Sequence, residues 1–88
     1  MIKVGDTFKA GLETYGLTKI NKQADVYTFQ DSEGDYFISI FYDNRDSKLS
    51  YANKHLYLDA DEIPLNYHEM RMCIEIIDKL KGENHDTK

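Results

Sequence analysis

Eighty-eight residues make one domain, and a chain of this length buries only about 60 to 65% of the surface its extended form exposes. A formal net charge of −5 excludes a general nucleic-acid binder, because affinity for phosphates comes from clustered Lys and Arg. The single cysteine, Cys73, excludes an internal disulfide framework and suits a reduced compartment. No apolar run approaches the roughly 20 residues of a membrane span, and MIKVGDTF lacks the apolar region of a secretory signal, so the expected setting is soluble and cytoplasmic.

At the start of the chain two periodicities compete. Ile2, Val4, Phe8, Ala10 and Leu12 alternate as a strand does, while Phe8, Leu12 and Tyr15 fit a helical face with Asp6 as N-cap and Gly16 after its end. The expectation is a short helix from Thr7 to Tyr15, with Gly11 as its weak point. Leu17 to Asn21 reads as a strand, and NKQAD as a turn.

Asp25 to Asp31 and Tyr36 to Asp43 are the clearest strands, joined by a turn centred on Glu33 and Gly34. With a two-residue loop there, Phe29 lies opposite Ile38, Tyr27 opposite Ile40, Thr28 opposite Ser39 and Val26 opposite Phe41. Centring the next turn on Arg45 and Asp46 sets Tyr42 against Leu49 and Ile40 against Tyr51. Both turns then agree on one apolar face: Tyr27, Phe29, Tyr36, Ile38, Ile40, Tyr42, Leu49 and Tyr51. His55 to Leu58 reads as a short edge strand.

Leu65 to Gly82 carries the signals of an amphipathic helix. Asn66 and Glu69 form a capping box, Leu65 and Met70 stand where a hydrophobic staple would, and Gly82 supplies the stop. Met70, Cys73, Ile74, Ile77 and Leu80 fall at i, i+3, i+4 spacing, and Met72 and Ile76 widen the apolar arc. The architecture expected is therefore α+β: a three- or four-stranded antiparallel meander, covered on one face by the C-terminal helix, with a short N-terminal helix beside it. An SH3-like small barrel entered through KVGDTF is the alternative. Residues 1–82 form the domain, and 83–88 fray as a tail.

Chemistry-bearing residues are plentiful but do not assemble into a known site. Asp31, Glu33 and Asp35 flank a glycine turn, a second group precedes the helix, and neither matches a calcium loop, since turns select Asp, Asn, Ser and Gly in any case. His55, His68 and His85 share no metal-ligand spacing with one another, and Cys73 stands away from His68 around the helix. No catalytic residue, metal or cofactor is expected, and the chain reads as non-enzymatic.

What the second sheet face exposes is more specific. The register places Val26, Phe37 and Phe41 opposite the helix, where bulky aromatics are disfavoured unless covered. The N-terminal helix is the intramolecular candidate to cover them; a protein partner or a second copy of the chain is the other. The expected function is a protein-binding module whose contact residues are Val26, Phe37 and Phe41, an acidic rim of Asp31, Glu33 and Asp35, and Met72 at the edge of the helical arc. Its narrower form is a small inhibitor, encoded by a phage or mobile element, that occludes a surface of a host nucleic-acid enzyme by mimicking phosphate charge. A self-associating accessory protein is the alternative, with neither direct nucleic-acid binding nor a membrane contact.

Overall fold

The computed structural model describes residues 2–43, 45, 48–59 and 61–85, the side chains of 48–51 and 83–85 excepted. Five strands, β1 (Thr7–Ala10), β2 (Glu13–Asn21), β3 (Val26–Asp31), β4 (Tyr36–Asp43) and β5 (Lys48–Leu56), precede one helix, α1 (Tyr67–His85). The strands pair antiparallel in chain order, so the sheet is an open meander with β1 and β5 at its edges. It is α+β, with five strands rather than three or four, and no SH3-like closure.

The expected N-terminal helix over Thr7 to Tyr15 is instead the β1–β2 hairpin. Phe8 and Ala10 are buried while Thr7 and Lys9 are exposed, a two-residue period that only a strand can satisfy. Ala10 pairs with Glu13, leaving Gly11 and Leu12 as the loop, and Gly11 adopts φ +68. That conformation suits glycine and breaks a helix. A Cβ at this position would also stand 3.0 Å from His68 Cγ, so a side chain here would crowd His68 of α1. In the NKQAD turn that follows, Asn21 Oδ1 accepts the Gln23 and Ala24 amides and Asp25 takes φ +52.

Between β3 and β4 every expected pairing is present, from Val26 opposite Phe41 to Phe29 opposite Ile38. Between β4 and β5, Tyr42 lies opposite Leu49 as the turn requires, but a bulge then shifts the register. Ile40 faces Ala52, and Tyr51 lies opposite Phe41, not Ile40. One extra residue on one strand moves everything beyond it to the other face. His55 is accordingly the continuation of β5, not a separate edge strand, and Lys54 is brought to the inner face opposite Ile38.

Helix α1 covers that inner face. Its capping box forms as the sequence specifies: the Glu69 amide donates to Asn66 Oδ1 at 2.8 Å and the Asn66 amide to Glu69 Oε1 at 2.9 Å. The buried arc is Glu69, Met72, Cys73, Ile76, Ile77 and Leu80, an i, i+3, i+4, i+7, i+8, i+11 series. Met70, expected on the stripe, and Ile74, expected at its centre beside Ile77, are exposed, Ile74 to 60%. The arc is thus turned toward Glu69, which the sheet holds by its charge, as described below. Facing it are Phe8, Ala10, Tyr15, Leu17, Phe29, Ile38, Ile40 and Tyr42, with Phe8 and Phe29 meeting edge to face at 5.6 Å. Gly82 does not end the helix, which continues to His85 because Gly82 keeps a helical backbone. The expected tail is therefore helical over 83–85; residues 86–88 lie outside the described residues, as do Asn44, Asp46 and Ser47 of the last turn.

Candidate functional site

Two groupings of side chains stand out, one inside the molecule and one on its surface. Inside, Glu69 is only 3% exposed. Its Oε2 accepts the Tyr15 hydroxyl at 2.6 Å and pairs with Lys54 Nζ at 2.7 Å, while Oε1 takes the Asn66 amide. Lys54 Nζ also lies 4.7 Å from the centre of the Tyr36 ring. This network ties β2, β5 and α1 together. Burial works against the charged carboxylate, yet the hydrogen bonds from Lys54, Tyr15 and the Asn66 amide outweigh it and hold Glu69 below its ordinary range. Burial, then the Glu69 carboxylate, pushes the Tyr15 hydroxyl well above its ordinary value, so it acts as a fixed donor. Each member is satisfied by the others. Its chemistry is that of a latch on the helix.

On the surface, the helix-free face of the sheet carries Val26, Phe37 and Phe41, all half-buried. Around Phe37 the sheet builds a stack that sequence patterning missed. His55 lies nearly parallel to it, centroids 5.7 Å apart at 9°, and Tyr57 stacks on it as well, at 5.7 Å and 27°. Aromatic pairs of this kind contribute about 0.5–1.5 kcal/mol each beyond the area they bury. His55 joins because it pairs directly with Phe37 across β4 and β5, and Tyr57 because its amide donates to the Asp35 carbonyl at 2.9 Å. The register of β5 decides this: without the bulge, Lys54 and not His55 would lie opposite Phe37. On the same face, Asn53 Oδ1 opposite Ser39 is buried with no partner among the described residues. The only intramolecular cover expected for this face, an N-terminal helix, is itself part of the sheet.

The remaining contact candidates divide. Asp31 is buried and spends its Oδ1 on the amides of Asp35 and Tyr36, at 2.8 and 3.2 Å, so it is part of the turn and not of an acidic rim. Glu33 and Asp35 are exposed. Met72 is 2% exposed and packs in the core, because the helix arc is turned relative to the sequence expectation; it offers no surface to a partner.

Among the described residues no group of three His, Cys, Asp or Glu side chains could hold a metal ion. Cys73 is buried, and burial followed by the nearby Glu69 charge pushes its thiol up to about 11. Among the described residues no helix is long and apolar enough to cross a membrane. The chain matches no protein-family model, no curated protein and no solved structure.

Proposed function

We propose that this chain is a non-enzymatic protein-binding module that presents the helix-free face of its sheet to a protein partner. The observation that carries the reading is the His55–Phe37–Tyr57 stack on that face, with Tyr57 63% exposed. Exposed, mutually rigidified aromatics supply large contact area at small conformational cost, which is why such residues concentrate at the centres of interfaces. Val26 and Phe41 extend the same surface across β3 and β4. In the narrower form of the proposal, the partner is a host nucleic-acid enzyme and the module an inhibitor encoded by a phage or mobile element.

Replacing Phe37 and Tyr57 together by Ser tests the reading. The double variant is expected to keep its circular dichroism spectrum and lose partner binding, scored by pull-down and by sedimentation on the same sample. Sedimentation also separates a foreign partner from a second copy of the chain. Because Phe37 is half-buried, Tyr57→Ser alone serves as the variant that cannot unfold the sheet. Wild-type binding by Tyr57→Ser would overturn the assignment of this face.

A further inference from the structure

The topology gathers segments that are far apart in sequence at one end of the sheet. The β1–β2 loop, the β3–β4 turn and the stretch after β5 all lie there, since each meander strand reverses at alternate ends. Hydrogen bonds join them into one rim: Ser32 Oγ donates to Glu13 Oε1 at 2.9 Å, and the Tyr57 amide to the Asp35 carbonyl at 2.9 Å. On that rim stand the most exposed apolar side chains among the described residues. Leu58 is 90% exposed beside Tyr57, and Leu12 is fully exposed at the hairpin tip. Segments 11–13, 31–35 and 57–62 also hold seven carboxylates and no Lys or Arg; without these seven, the chain's net −5 becomes +2. One of them, Asp31, is consumed by the turn; Glu13, Glu33, Asp35, Asp59, Asp61 and Glu62 are at least partly exposed.

Turn chemistry explains each carboxylate singly but not the apolar residues among them. Positions flanking tight turns select Gly, Asn, Asp and Ser, and that preference does not account for the adjacent exposed pair Tyr57 and Leu58. We infer that this rim, with Tyr57 and Leu58 as its apolar lip, docks on a Lys- and Arg-rich protein surface that offers an apolar crevice. The inference rests on the reading of the Phe37 face as a partner-binding surface and adds the partner's chemistry, since Tyr57 belongs to both. Charge selects the occupant. Nucleic acid would be repelled, and two copies meeting rim to rim would oppose like charges, whereas a basic surface is attracted over a distance and then anchored by Leu58.

The test starts from the full chain with a benzophenone-bearing residue in place of Leu58, and a second version carrying it at Ile74 on the exposed side of α1. Both are irradiated in an extract of the source cell. A protein captured from position 58 and not from 74, cross-linked within a Lys- or Arg-rich segment, is the expected result. That protein, purified, is then titrated by calorimetry with the wild-type chain, with Tyr57→Ser, and with a triple variant Glu33→Gln, Asp35→Asn, Asp61→Asn. Wild-type affinity should fall about tenfold or more between about 0.05 and about 0.3 M salt, and the triple variant should lose about tenfold at low salt with a flatter salt dependence. Tyr57→Ser should weaken binding at every salt concentration. A triple variant that binds like wild type with unchanged salt dependence overturns the basic partner while leaving the Phe37 face intact. If Tyr57→Ser also binds like wild type, or position 58 captures nothing, both readings fail. Capture of only the chain itself overturns the inference in favour of self-association.

Discussion

Replacing Lys54 by Met removes one ammonium group from the interior and keeps most of the side chain's apolar stem. Lys54 Nζ is the cation that pairs with Glu69 at 2.7 Å, with side-chain exposures of 12% and 4% for the two partners. Removing one member of a buried pair leaves the other charge uncompensated, at a cost of about 3–5 kcal/mol. Here the Tyr15 hydroxyl and the Asn66 amide still serve the carboxylate, so the loss belongs at the lower end, about 3 kcal/mol. With a urea dependence of about 1 kcal/mol per molar, the unfolding midpoint should drop by about 3 M, a large part of a total stability of about 4–13 kcal/mol. The pH dependence supplies a second readout. Glu69 titrates below its ordinary value of 4.5, so its stabilisation is present above that value and is lost as pH falls through the depressed one. In the variant the carboxyl titrates higher, because burial remains and the ammonium is gone. The difference between the two proteins should therefore be largest near neutral pH and shrink as the pH falls below 4.5. In a Glu69→Gln background the same Lys54→Met change should cost under about 1.5 kcal/mol, since no buried carboxylate is left unpaired. A midpoint drop under about 1 M, or the same cost in both backgrounds, would refute the latch.

Ile76→Ala should cost about 2–5 kcal/mol in urea unfolding, because Ile76 is fully buried against the sheet, whereas Ile74→Ala should cost under about 1 kcal/mol at its exposed position; equal losses would mean the helix is turned otherwise. Native Cys73 should react slowly with a thiol reagent at pH 8 and quickly in denaturant, since its buried thiol titrates near 11; equal rates would remove it from the core.

Local chemistry alone settled the capping box, the β3–β4 pairing and the general α+β layout. Asn66 and Glu69 lie three residues apart and each caps the other's backbone amide, and the Glu33–Gly34 turn sets the register of the strands beside it. Such features depend on neighbours in sequence, so they are legible there. Of the candidate site, Val26, Phe37 and Phe41 could be placed on the helix-free face by the same reasoning. His55 and Tyr57 could not, because a bulge on the β4–β5 ladder has no signature in residue type.

The N-terminal hairpin and the rotation of α1 were decided by tertiary structure. From Thr7 to Tyr15 the apolar spacing fits either period, and what selects the strand is pairing with β2 and β3, whose burial of Phe8, Tyr15 and Leu17 a lone helix could not provide. In α1, hydropathy favours an arc through Met70 and Ile74. The observed arc instead buries Glu69, because Lys54 and Tyr15, brought to the inner face by β5 and β2, compensate a charge that no hydropathy pattern would place inside. Met72 is drawn into the core by the same rotation, and Ile74 is left in solvent.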